Sequence, residues 1–330
     1  MSVNPILAHL IRGDLIENRY RGSYVVVDSD DNLIAATGSF RSIIYPRSSL
    51  KPIQTLAMIE SGAADKYNVT DTEIALACAS HSGEAAHVNL VKQWLERMEL
   101  SEADLECGAH APLDRKSAKA LIVNGEKPNC LHNTCSGKHA GFLTLAKFQS
   151  ASLKNYTAFD HPTQTAINEV IAHMTQTDVS RAPKGADGCQ IPVIGVELMG
   201  LAKAMATLVD SKRLPKVRQE ACHRVVRSMQ QHPFFVAGTG RFCTDIIEKT
   251  NGEVLVKMGA DGVFSASVPK RKWGIALKID DGNLRAAEVS LISLLVRLQV
   301  ISNVDSFTNY LEFPIHNWNG NIVGKIQSSL

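Results

Sequence analysis

The chain has 330 residues, and what it lacks narrows its reading first. It lacks a charge imbalance: the formal net charge is +2 at pH 7, which gives no basic footprint for nucleic acid and no polybasic attraction to a membrane surface. It lacks any run near the roughly 18 apolar residues that a membrane span requires. The opening Met1-Ser2-Val3-Asn4-Pro5 has no charged segment followed by an apolar block and a small-residue cleavage site, so no secretory leader is expected. It also lacks a disulfide framework. The seven cysteines, Cys78, Cys107, Cys130, Cys135, Cys189, Cys222 and Cys243, are odd in number and irregularly spaced, which suits a reducing cytoplasm. No Cys-x-x-Cys pair, internal repeat or low-complexity tract is present. What remains is the composition of a folded protein, 45% hydrophobic and 21% charged.

Periodicity then divides the chain. Tyr24-Val25-Val26-Val27 and Leu33-Ile34-Ala35-Ala36 flank the turn Asp28–Asn32 and predict a hairpin. Ile43-Ile44-Tyr45 leads into Pro46, and a helix follows from Ser48 to Gly62, with Pro52 in the first turn where a missing N–H is harmless. From about 70 to 235 the pattern is helical: a capping box Thr70-x-x-Glu73, a helix begun by Ser82, then 113–123, 137–148, a helix opened by Asp160 and Pro162, 195–208 and 217–231. Residues 242–250 extend this pattern. Strands return at 253–258, 262–267 and 273–279, and an apolar helix spans 284–300. Neither set of strands is large enough to stand alone, so both are expected in one antiparallel sheet. The expected architecture is α/β: a discontinuous sheet domain from 1–65 and 236–330, flanked by helices, with an inserted helical domain over 66–235. The junction of two such units is a usual place for a site.

Three short motifs bear on chemistry. Ser48-Ser49-Leu50-Lys51 is a Ser-x-x-Lys at a helix start, and residues three apart on a helix share a face. A lysine amine there can serve a serine hydroxyl that needs a base before it attacks a carbonyl. Ser267-x-x-Lys270 has the same spacing at a Pro-containing strand turn, where it means nothing. Ser80-His81-Ser82 lies between two helices, where penicillin-recognising serine hydrolases carry Ser-x-Asn. Lys257-Met258-Gly259 ends a late strand, where those hydrolases carry Lys-Thr-Gly; Lys272-Trp273-Gly274 also fits, and Gly259–Gly262 favours Lys257 by allowing close approach to the backbone. A fourth cluster joins Cys130, His132, Cys135 and His139 to Asp187-Gly188-Cys189. Spacing alone favours buried thiols over zinc there, and Cys135 at a helix N-terminus is also a candidate nucleophile.

Cys-Ser-Gly-Lys-His-Ala-Gly at 135–141, together with Arg-Ser-Ser-x-Lys-Pro at 47–52, resembles the rhizobial-type L-asparaginases, the asparaginase II family. Ala79–Glu84, Gly185–Cys189 and Lys257-x-Gly-Ala-x-Gly262 fit the same family. The resemblance implies a fold like serine β-lactamases, penicillin-binding proteins and serine-type glutaminases. It implies hydrolysis of L-asparagine to L-aspartate and ammonia through an acyl-enzyme. It implies two Ser-Lys pairs, Ser48 with Lys51 and Ser80 with Lys257, a zinc held by Cys135, Lys138 and Cys189 with Asp187 close by, and a homodimer. Arg47 or His139 is the candidate for the substrate carboxylate. The nearest alternative is a serine-type glutaminase or a β-lactamase-like amidase on the same fold. Alternatives of other kinds are a cysteine hydrolase using Cys135 and a zinc-stabilised amino-acid binder.

Overall fold

The computed structural model describes residues 3–330. Its main sheet runs, strand by strand, Glu312–His316, Ile322–Ser328, Ile6–Arg12, Leu15–Asp28, Trp273–Ile279, Val263–Val268 and Leu255–Met258, with Leu33–Thr37 also paired to Leu15–Asp28. Every pairing in it is antiparallel. Strands from both ends of the chain thus form one sheet, as expected. The predicted hairpin is present, and its turn is set by Asp28, whose carboxylate accepts from the Asp30 and Asn32 N–H groups. Trp273–Ile279 falls on the residues expected for the third of the late strands.

Val263–Val268 is buried at every residue, so helices cover both faces of the sheet there. Leu198–Val209, which lies within 66–235, packs on the sheet closely enough that a Cβ on Gly274 would stand 1.9 Å from the Ala202 carbonyl oxygen. Ser267 Oγ donates to the Met205 carbonyl in the same contact, at 2.7 Å.

Lys51–Glu60 is buried at every position from Lys51 to Ile59, so packing surrounds it on all sides. Pro52 does sit in its first turn. The helix begins at Lys51 rather than Ser48, because Arg47–Leu50 forms a tighter 3₁₀ turn leading into it. Thr70 and Glu73 make the predicted capping box for Asp71–Ala77. Ser82 does not cap the next helix. Its hydroxyl donates to Glu84 at 2.7 Å, and the helix runs from Ala85 to Arg97. The helix expected from Asp160 and Pro162 runs from Pro162 to Thr175 and is capped by His161, whose side chain accepts from the Thr163 N–H. Two hairpins lie outside the sequence expectation. Lys184–Ala186 pairs with Pro192–Ile194, and Glu312–His316 with Ile322–Ser328 extends the main sheet. Both are short, and the first is exposed along its leading strand, so neither shows a clear alternation.

The Gly274 contact is with main-chain atoms that cannot rotate away. Gly274→Ala should therefore lower the unfolding free energy by about 3 kcal/mol or more. Gly188→Ala, where an added Cβ meets nothing within 4 Å, should change it by less than about 1 kcal/mol. Urea unfolding of the two variants beside the parent chain checks this.

Candidate active site

The site is assembled around the turn Pro46–Lys51. Ile43–Ile44 pairs with Val196–Glu197 and delivers the chain to Pro46. Arg47 then takes a left-handed backbone, φ 52°, an uncommon conformation for a residue with a side chain. The turn is held from the late strands. Ser265 Oγ donates to the Ser49 carbonyl at 2.8 Å, and Ser49 Oγ donates to the Pro46 carbonyl at 2.7 Å. Gly259 packs so tightly that a Cβ there would lie 2.5 Å from the Pro46 carbonyl oxygen. The glycine expected to admit a ligand thus admits the chain's own backbone, and its N–H donates to the Val263 carbonyl at 2.7 Å.

Lys51 and Lys257 are both fully buried, and their amines meet at one hydroxyl. Ser80 Oγ lies 3.2 Å from Lys51 Nζ and 2.9 Å from Lys257 Nζ. The Lys51 amine also donates to the Ala79 carbonyl and reaches Cys135 Sγ at 3.2 Å. Lys257 donates to the Met258 carbonyl at 2.9 Å. Burial, and then the neighbouring Lys51 ammonium, pull Lys257 down to about 7. In its neutral form it can accept the Ser80 proton while Ser80 accepts from Lys51. The Ser80 loop is fixed on either side, its N–H donating to the Val236 carbonyl and that of His81 to the Thr134 carbonyl.

Ser48 is half-buried and lines a small cavity with Arg47, Lys51, Lys138, Asp187 and Ile191. Its link to Lys51 is through the backbone, Lys51 N–H to the Ser48 carbonyl, and the Lys51 amine is directed instead to Ser80 and Cys135.

Cys135, at the start of the helix Ser136–Phe148, joins this group to a second one. Lys138 Nζ donates to Cys189 Sγ at 3.0 Å. A hydrogen bond from the Cys135 thiol, opposed by burial and helped by Lys138, brings Cys189 down to about 5. Cys135 itself is raised, by that same contact and by burial, so the helix N-terminus does not make it the thiolate. Lys138 is raised: burial opposes its charge, but Cys189, Cys135 and Asp187 outweigh it. Asp187 is lowered against its own burial by Lys138 and Arg47. Arg47 is bound along one edge, Nε and a terminal nitrogen, to Asp187 Oδ1 at 3.1 and 2.9 Å, and through its other terminal nitrogen to Asp261 at 2.6 Å. His139 is fully buried, with Nδ1 2.8 Å from the Tyr156 hydroxyl, and burial followed by Lys138 pushes it down to about 3.

Among the described residues no three of His, Cys, Asp and Glu converge as a metal set. A metal here would depend on the Lys138 amine beside the two thiols. The decoys separate cleanly. Lys270 is exposed while Ser267 is buried against Met205, and Lys272 faces out to Asp210 at 3.0 Å. Asp261 and Tyr156 carried no sequence signal: one is an aspartate in a polar turn, the other an isolated tyrosine between helices.

No curated protein matches the chain. Among solved structures it is similar to a β-lactamase from Sphaerobacter thermophilus, at 11% identity over 86% of this chain and 92% of that one, TM-score 0.42. It is similar to Mglu in its native form, at 14% identity over 90% and 69%, TM-score 0.39. It is similar too to an octameric penicillin-binding protein homologue from Pyrococcus abyssi, at 10% identity over 84% and 73%, TM-score 0.41. These likenesses are loose, and the sheet order stands on the chain's own hydrogen bonds. The description L-asparaginase II matches residues 8–328, nearly the whole chain and every residue of the site just described. The chain belongs to the L-asparaginase II family and is a hydrolase that acts on amides.

Proposed function

We propose that the chain hydrolyses L-asparagine to L-aspartate and ammonia, with Ser48 as nucleophile and two coupled lysines as its proton relay. The observation that carries this reading is the Ser80 hydroxyl shared by two fully buried lysine amines, beside a cavity that Ser48 lines. A buried amine near neutrality is what a base in this role needs. Lys51 passes a proton to Ser80 as Ser80 gives its own to neutral Lys257. Lys51 then takes the Ser48 proton as Ser48 Oγ bonds to the side-chain amide carbon. Catalytic hydrogen bonds often tighten only with substrate in place, and the Ser48 hydroxyl moves onto Lys51 at that stage. The tetrahedral intermediate expels ammonia with a proton returned along the relay. Water, deprotonated by the same amines, releases aspartate from Ser48. The Ser48 N–H at this turn serves as a donor to the developing oxyanion, and Arg47 takes the substrate carboxylate.

The donor set suits zinc. Two buried thiols, one of them lowered to about 5, and a lysine amine are soft sulfur and nitrogen donors of the kind zinc accepts. Cys135, Lys138 and Cys189 would hold it, with Asp187 nearby but engaged by Arg47. Bound there, zinc would supply a fixed positive charge at the wall of the cavity. The same reading includes a homodimer and a cytoplasmic setting, and seven free thiols suit a reducing compartment.

Ser48→Ala should reduce ammonia release from L-asparagine by roughly 10⁴-fold or more; a variant that keeps most of the parent rate would remove Ser48 as nucleophile. The pH dependence follows from Lys257. Its lowered pKa means that the neutral, accepting form is lost as pH falls through about 7, so kcat/KM should rise with pH across that value. Lys257→Met should cost about 10²- to 10⁴-fold and abolish that limb of the profile. For the metal, zinc content measured on the purified chain should be near one per chain and should fall in Cys135→Ala and Cys189→Ala. Equal content in all three would remove the site.

A further inference from the structure

Arg47 is held by two carboxylates of very different standing. Asp187 is nearly buried, its side chain 11% exposed, and it takes the Nε edge of the guanidinium through two hydrogen bonds. Asp261 is 71% exposed and makes a single contact, to the opposite terminal nitrogen at 2.6 Å. Asp187 receives further support from the Gly188 N–H, at 2.7 Å. Among the described contacts the Asp261 carboxylate has Arg47 alone, since the one other bond to this residue runs from Lys278 to its backbone carbonyl. The first carboxylate fixes Arg47; the second is a solvated group that can leave at little cost. Arg47 is also the residue before Ser48 and lines the same cavity. In asparagine the α-carboxylate and the side-chain amide carbon are separated by two carbons, so neighbouring residues can engage both.

We propose that Asp261 occupies the place on Arg47 that the α-carboxylate of the substrate takes, and must be displaced for substrate to bind. This rests on the asparaginase reading above and deepens it, by making Asp261 a positioning residue that sets affinity for α-carboxylate substrates. One guanidinium edge remains on Asp187 throughout, so Arg47 keeps its direction while its other terminal nitrogen exchanges one carboxylate for another. The exchange conserves charge pairing at Arg47 and releases Asp261 to water, where an exposed aspartate is stable. The left-handed backbone at Asp261, φ 55°, is one that asparagine tolerates well, so the carboxylate can be neutralised without disturbing the turn.

The test is steady-state ammonia release by the full chain and by Asp261→Asn and Asp261→Glu, on L-asparagine and on β-alaninamide, which has the amine and amide but no α-carboxylate. Asp261→Asn should lower KM for L-asparagine about two- to fivefold, the range an exposed ion pair spans. Its kcat should match the parent, and KM for β-alaninamide should not change. Asp261→Glu, which restores a carboxylate, should return KM for asparagine toward the parent value. An unchanged or raised KM for asparagine in Asp261→Asn, or an equal fall for β-alaninamide, overturns the proposal. Absence of ammonia release from asparagine by the parent chain overturns the asparaginase reading instead. In that event L-aspartate binding, followed by calorimetry on the parent and Asp261→Asn, decides the carboxylate exchange separately, with equal affinities counting against it.

Discussion

Two lysine amines without solvent access share one serine hydroxyl, and much of this protein is arranged to make that contact possible. Side by side in a buried site, two ammonium groups repel each other with little screening. The arrangement is tolerable because one of them, Lys257, is pulled to about 7 and can stand neutral. The other finds three acceptors, the Ala79 carbonyl, Ser80 Oγ and Cys135 Sγ. Such a network requires rigid supports. Lys51 comes from a helix buried on all sides, Lys257 from a strand at the end of the sheet, and Ser80 from a loop tied to Val236.

The thiol cluster continues the same electrostatic logic. Cys135 Sγ lies 3.2 Å from Lys51 Nζ, and Lys138 donates to Cys189, the thiol whose pKa is pulled down to about 5. From there Asp187 and Arg47 lead back to the residue before Ser48. Lys138, Asp187 and Arg47 thus alternate in sign along the wall of the cavity that Ser48 lines.

Much of this was legible in the sequence. The capping box at Thr70, the hairpin turn at Asp28 and the strand Trp273–Ile279 are local features, and local chemistry decides them. The site motifs were legible by type, but spacing could not separate Ser48-x-x-Lys51 from Ser267-x-x-Lys270, nor Lys257 from Lys272. Helix starts were less secure where a side chain had a competing partner. Ser82 has the chemistry of a cap, yet it bonds to Glu84, which also accepts from Thr239 on a distant loop. The hairpin 312–328 gave little alternation because most of its residues are only partly buried.

The sequence by itself determined most of the helices and the strands nearest the site, that strands from both ends share a sheet, and which residue types are available for chemistry on an amide. The tertiary structure decided which lysine meets Ser80, which thiol Lys138 contacts and what Arg47 holds. Those outcomes depend on distances of about 3 Å between residues as far as 177 positions apart, and on the burial that lowers Lys257. Periodicity reports which face of an element is apolar. It does not report which two buried charges will touch, because that depends on how separately formed elements pack against one another.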